Sequence, residues 1–232
     1  MNGPLPPPEI LIALAIVIFF AIGLHEYCHC KFADMAGDPT PRFYGRVTLN
    51  LTKHFEPMGT LMIAISSLSG IGIGWGKAAP INPEKMRNPR VDTFVAVAAG
   101  PLSNLAQAII YALVIRISIN AGLFGVDDVF RALLREQGQF FPALLTLGVS
   151  VNLGLALFNL IPFGVLDGHW LVGLMLPEKQ RFYWFKFNRS YGWMIFVGII
   201  LLDQVANLGI LSRIVWPPFS YLFKLLTGIP IG

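Results

Sequence analysis

The feature that most constrains this chain is an unbroken apolar run, Ile10 to Leu24, that leads directly into His25-Glu26-Tyr27-Cys28-His29. A run of that kind ends up either in a protein core or in lipid, and composition decides between them. Only 13% of residues are charged, against about a quarter in a soluble domain. Lipid is therefore the expected solvent. Further apolar stretches lie at about 58–76, 91–119, 140–163, 191–203 and 205–226. The expected fold is an all-α, multi-pass integral membrane protein of about five to six membrane segments. Residues 1–232 are read as one unit, with a core at about 9–176 and C-terminal membrane segments at about 191–226. Disorder is excluded by the same composition, and a disulfide scaffold by the spacing of Cys28 and Cys30, too close to bridge distant segments. Met1 to Pro8 carries no Lys or Arg, so the first segment is read as a retained helix, running from Glu9 to Ala36 and stopped by Gly37-Asp38-Pro39.

Charge placement gives an expected topology. The stretch 58–76 is rich in Gly and Ser, a poor composition for a simple lipid-facing helix. If it crossed the membrane, the basic loops 37–57 (Arg42, Arg46, Lys53) and 77–90 (Lys77, Lys85, Arg87, Arg90) would face opposite sides, against the positive-inside tendency. A segment that dips in and returns places both with loop 177–190 (Lys179, Arg181, Lys186, Arg189) in the cytosol. The formal net charge of +4 is then mostly topology, and no basic helix or aromatic-basic surface supports nucleic-acid binding.

Positions i and i+4 are neighbours on a helix, so His25 and His29 can reach one tetrahedral zinc while Glu26 addresses a water. Ionisable groups at the end of an apolar run are costly in lipid and usually face a protein interior for a functional reason. From Glu9 to His25 the helix rises about 24 Å, which puts the site below the membrane surface and nearer the cytosolic end. A third ligand could come from Asp167, His169, His54, Glu56, Asp34, Asp92, Cys28 or Cys30. Asp167 is the strongest candidate, because Pro162, Gly164 and Gly168 interrupt a membrane segment there and broken helices line enclosed cavities. The alternative is that Asp167 caps a short helix from His169 to Leu176.

Taken in order, the motifs resemble the site-2 protease family of intramembrane zinc metalloproteases over roughly residues 20–175. They are Gly23-Leu-His-Glu-Tyr-Cys-His29, Gly37-Asp-Pro-Thr-Pro41, Arg46-Val-Thr-Leu-Asn50 with His54 and Pro57-Met-Gly59, Gly74-Trp-Gly-Lys77 with Pro80-Ile-Asn-Pro83, Ala99-Gly-Pro-Leu-Ser-Asn104, and Asn159 to Gly168. The resemblance implies that His25, His29 and Asp167 bind one Zn²⁺, that Glu26 is the catalytic base and that Asn159 lies close to the active site. It also implies cleavage of transmembrane protein substrates within the bilayer, often after another protease has trimmed them, and a prokaryotic cytoplasmic membrane location. Gly164 and Val165 replace usual prolines, Glu56 replaces a common Asp, and Cys30 stands where Ala is usual; these departures bear on substrate fit. No PDZ module fits between residues 59 and 100, and no C-terminal regulatory domain is expected.

Asn159 is a candidate donor to the substrate backbone or oxyanion, and Asn104 a candidate of the same kind; for each, a helix-to-helix hydrogen bond is the competing role. His54 is a lower-ranked candidate near the entrance. From Arg46 to Thr52 the residues alternate as in a strand, so a short β-strand or hairpin is expected near the site, where it could hold an unwound substrate by β-addition. The rival from another class is a non-catalytic membrane scaffold that retains a structural zinc. A transporter is disfavoured because the ionisable residues gather at one level, apart from Arg116 and Asp203.

Overall fold

The computed structural model describes residues 6–56, 58–59, 76–136, 139–206 and 208–231, and among these every regular element is helical. Helix α1 (Pro8–Met35) begins with a proline where a missing N–H does no harm, and ends before Gly37, whose φ of +103° turns the chain. Helix α2 (Pro89–Asn120) is capped reciprocally. The Asn88 side chain accepts from the Val91 N–H at 3.4 Å, and Asp92 accepts from the Asn88 N–H at 2.7 Å. After α3 (Val126–Leu133) comes α4 (Phe140–Asn159), then a break and α5 (Asp167–Met175). Helix α6 (Glu178–Phe187) passes through a π-helical turn, Asn188–Gly192, into α7 (Trp193–Ala206), and α8 (Ile210–Thr227) follows.

Helices α1, α2 and α4 form the centre. Ala21 meets Asn104, His29 meets Ala96 and Ala36 meets Arg87, so α1 and α2 run antiparallel. Small side chains allow this approach: Ala33 and Ala36 of the first segment pack with Ala96, and Ala13 packs with Ala143 of α4. Ala108, Ala112 and Ile115 of α2 close a further cluster with Val149 and Leu153 of α4 and Phe223 of α8. Among the described residues, three helices are long and apolar enough to cross a membrane, α1, α2 and α4.

Two expectations about the fold are corrected. The expected five to six membrane segments reduce, among the described residues, to those three. The C-terminal apolar stretches are divided by a turn at which Asp203 accepts from the Ile210 and Leu211 N–H groups at 2.6 and 2.9 Å, capping α8. Helix α7 by itself has 14 residues, about 21 Å against a hydrocarbon core of about 30 Å, and the helical turns that lead into it carry Lys179, Arg181, Lys186 and Arg189. Helix α8 contains Arg213, Lys224 and the pair Pro217–Pro218. The second correction concerns the strand: the described residues contain none, and no hairpin. Residues 46–54 bend and then form a 3₁₀ turn, Leu51–His54. Local bonds explain why. Thr48 Oγ1 accepts from the Asn50 N–H at 3.1 Å and Thr52 Oγ1 donates to Asn50 Oδ1 at 2.6 Å, so the polar members of the alternation satisfy this backbone as a turn.

Most of the Gly-rich stretch 58–76 lies outside the described residues, and so does its expected dip. Its flanking loops, however, meet at one end of α1. The buried Arg46 guanidinium donates to the Lys77 and Ala78 carbonyls, the Lys77 N–H donates to the His54 carbonyl at 2.8 Å, and the Asn82 N–H donates to the buried Asp38 carboxylate at 2.6 Å.

Candidate metal centre

Helical periodicity puts His25 and His29 on the same face of α1, turned toward α2 and α5. They are 7% and 4% exposed, so their polar atoms must find partners inside the protein. Asp167, the first residue of α5, closes on them: its Oδ2 lies 3.2 Å from His25 Nε2 and 3.3 Å from His29 Nε2. The two Nε2 atoms are 3.0 Å apart. Asp167 is delivered by a close backbone approach. A side chain at Gly168 would collide with the carbonyl oxygens of Leu160 and Ile161 at the end of α4, which accounts physically for Gly in Leu-Asp-Gly. Gly100 on α2 is needed for the same kind of reason, since a Cβ there would run into both imidazoles.

The hydrogen bonds around the cluster fix the tautomers. The Gly148 carbonyl can only accept, so Asn152 donates to it through Nδ2, at 2.9 Å. Asn152 Oδ1 then accepts from Asn104 Nδ2 at 2.9 Å, and the same Nδ2 donates to the Ala21 carbonyl at 3.0 Å. Asn104 must therefore present Oδ1 to His25, whose Nδ1–H donates to it at 2.7 Å. His29 Nδ1–H donates to the Ala96 carbonyl at 2.8 Å. With both protons on Nδ1, both Nε2 atoms point lone pairs at each other and at a carboxylate oxygen, Asp167 Oδ2, that is buried and accepts no hydrogen bond.

Two lone pairs and an anion facing one another call for a cation. Tetrahedral zinc with bonds of about 2.0 to 2.2 Å separates its ligand atoms by about 3.3 to 3.6 Å. The three separations here, 3.0, 3.2 and 3.3 Å, lie at or a few tenths of an ångström below the short end of that range, so a small outward shift of the side chains seats the ion. Among the described residues, His25, His29 and Asp167 are the group of His, Cys, Asp or Glu side chains able to hold a metal. Glu26, one residue along α1, lies against the chain leaving the Gly-rich stretch; a Cβ on Gly76 would stand 3.2 Å from its Oε1.

The other expected candidates lie elsewhere. Asp34 pairs with Arg42 at 2.7 Å, Asp92 caps α2, and His169 Nδ1–H donates to the Leu166 carbonyl at 2.6 Å. Glu56 accepts from the Gly59 N–H at 2.6 Å. Cys28 and Cys30 carry free thiols outside the cluster. His54 is buried in the loop, where its Nε2–H donates to the Thr48 carbonyl at 3.0 Å and its Nδ1 faces Arg46 at 3.4 Å; burial and the Arg46 charge hold its pKa below the ordinary value. Asn159 ends α4 with its Nδ2–H on the Leu155 carbonyl at 3.0 Å, an amide turned back onto its own helix. Asn104 bridges three helices and also touches a histidine of the cluster. Sequence reasoning missed Asn152 and the Ala96 carbonyl. Asn152 is one of several polar residues in an apolar span, and a carbonyl has no sequence signal.

The model of the peptidase family M50 matches residues 13–202. The candidate zinc metalloprotease YwhC of Bacillus subtilis is 30% identical over 91% of this chain and 87% of its own length. The candidate zinc metalloprotease Rip2 of Mycolicibacterium smegmatis is 26% identical over 92% of this chain and 75% of its own length. No solved structure gives a significant match. With the family match spanning most of the chain, the stretch that contains His25, His29 and Asp167 included, the chain belongs to peptidase family M50, the site-2 protease family of zinc metalloproteases.

Proposed function

We propose that the chain is an intramembrane zinc endopeptidase that hydrolyses peptide bonds within or near the transmembrane helices of other membrane proteins, including ones first trimmed by another protease. The observation that carries this reading is the convergence of His25, His29 and Asp167 beside Glu26, in the second half of a helix long enough to span a bilayer. In this reading residues 1–232 work as one membrane-embedded unit in a prokaryotic cytoplasmic membrane, with the site nearer the cytosolic side.

The residues divide the work. His25 and His29, through Nε2, and Asp167, through Oδ2, would hold the metal. Zinc, when bound, supplies Lewis acidity to the scissile carbonyl and brings the pKa of a water down toward about 7. Glu26 accepts the proton of the attacking water at its carboxylate and hands it to the departing amine nitrogen. Asn104 keeps His25 in the Nδ1–H form throughout. Asn159 would exchange its bond to its own helix for one to the substrate backbone. His54 serves by holding the loop at the entrance.

The test is incubation of purified wild-type and Glu26→Gln protein with a candidate transmembrane substrate, with mass spectrometry of the fragments and zinc analysis of both preparations. Glu26→Gln should retain zinc and yield no fragments, and Asp167→Ala should lose zinc. An active Glu26→Gln protein would sink the mechanism. Zinc without cleavage in the wild type, and without an exchangeable water ligand, would favour the scaffold alternative.

A further inference from the structure

Each of the three cluster side chains is supported from α2, and the support of the third is not adjacent to it. His25 is held by Asn104 and His29 by the Ala96 carbonyl, both on α2. Asp167 has no such contact. Instead, the helix that it begins is gripped at its far end. Arg90, in the first turn of α2, donates from Nε to the Leu174 carbonyl at 2.8 Å and from one terminal nitrogen to the Met175 and Leu176 carbonyls, both at 3.2 Å. Those are among the last carbonyls of α5, which find no partner within the helix.

We propose that Arg90 is a positioning residue for the metal site: by capping the C-terminus of α5 it sets the axial position and rotation of the helix that presents Asp167 to His25 and His29. The claim rests on reading the cluster as a zinc site. Three properties carry it. Helix α5 has nine residues, and from Asp167 to Leu174 it is a rod of about 10 Å, short enough to transmit a displacement of one end to the other. A planar guanidinium bonded to three successive carbonyls fixes rotation as well as position, which a single point contact does not. The charge also suits the negative end of the helix, as the Asp167 carboxylate suits the positive end. At the other end, Gly168 sits so close to the Leu160 and Ile161 carbonyls that α5 has no freedom to slide forward. Clamped between α4 and Arg90, Asp167 Oδ2 stands at nearly equal distances from both imidazoles.

The loop that leads into α2 contains a matched control. Arg87 donates to the Met35 carbonyl at 2.8 Å, capping the C-terminus of α1 beyond the histidines, and makes no bond to α5. Both arginines are exposed, so replacing either opens no buried void.

The experiment is a zinc-affinity measurement by competition with a chromophoric chelator, on full-length protein in detergent, for wild type, Arg90→Ala, Arg90→Lys and Arg87→Ala. The melting temperature of the metal-free form of each is measured alongside. Arg90→Ala should weaken zinc binding about tenfold, the lower end for loss of an outer support of a metal ligand. Arg90→Lys should recover part of that loss, and Arg87→Ala should bind as the wild type does. Wild-type affinity in Arg90→Ala overturns the proposal, as does an equal loss in Arg87→Ala, which would mean only a general role for the loop. If Arg90→Ala does not fold, Arg90→Lys decides alone, and unchanged affinity there overturns it. Failure of the wild type to bind one zinc would remove the metal-site reading itself, a result distinguishable from all of these.

Discussion

Asn104→Ala is the perturbation that most directly tests how the site is built. The wild-type amide makes three buried bonds, to His25 Nδ1, the Ala21 carbonyl and Asn152 Oδ1. The Ala21 carbonyl has another potential donor in its own helix, but the substitution strands the His25 Nδ1–H and Asn152 Oδ1. At about 1 to 3 kcal/mol for each of these two buried groups left without a partner, the metal-free fold should lose about 2 to 6 kcal/mol. The metal site loses the contact that fixes the His25 tautomer, typically worth about 10- to 100-fold in affinity. Asn104→Asp separates the two effects. It keeps an acceptor for His25 but gives up both Nδ2 donations and sets a carboxylate against Asn152 Oδ1. Its zinc affinity should stay near that of the wild type while its melting temperature falls. The assay is chelator competition for zinc on each variant in detergent, paired with thermal unfolding after metal removal. A folded Asn104→Ala protein with wild-type zinc affinity would refute the tautomer argument, and so would an Asn104→Asp protein as weak in zinc binding as Asn104→Ala.

Three further predictions follow from the same geometry. Gly100→Ala should abolish stoichiometric zinc binding, because the added Cβ collides with both imidazoles, and zinc content by mass spectrometry would show it; retention of one zinc would contradict the packing described here. His54 has a folded pKa below its ordinary 6.5, chiefly through burial and then through Arg46, so its contribution to stability is complete above 6.5 and is lost as pH falls through the folded value. Hydrogen exchange across residues 46–54 should therefore speed up at about pH 5.5 relative to pH 7.5, after correction for intrinsic rates, and a loop equally protected at both would count against it. Lys53→Cys and Arg87→Cys should be labelled from the same side of the membrane, since their loops are bonded together through Arg46, His54, Lys77, Asp38 and Asn82; labelling from opposite sides would refute that arrangement.

What could be read from the sequence and what could not divides along the range of the forces involved. The pairing of His25 with His29, and Glu26 beside them, follows from helix periodicity alone, and the apolar run before them already implied a helix in lipid. Both are local properties. Asp167 was legible as a candidate among eight because Pro162, Gly164 and Gly168 break the chain around it, but its meeting with the histidines depends on how α4 and α5 pack. The alternation from Arg46 to Thr52 misled, since a period-two pattern cannot show that Thr48 and Asn50 would bond their own neighbourhood into a turn. The C-terminal stretches misled in a related way: hydropathy registers their apolar content but not that α8 begins only at Ile210, where Asp203 caps it.

By itself, the sequence determined the apolar setting, the helical character and the placing of His25 and His29 on one face with Glu26 beside them, because these rest on composition and on contacts within one turn of helix. Only the tertiary structure decided that Asp167 meets the two histidines, along with the tautomers and the hydrogen bonds around them, because these depend on groups distant in the chain. The Ala96 and Gly148 carbonyls have no side-chain signature, and Asn104 and Asn152 acquire their direction only from the acceptors that face them.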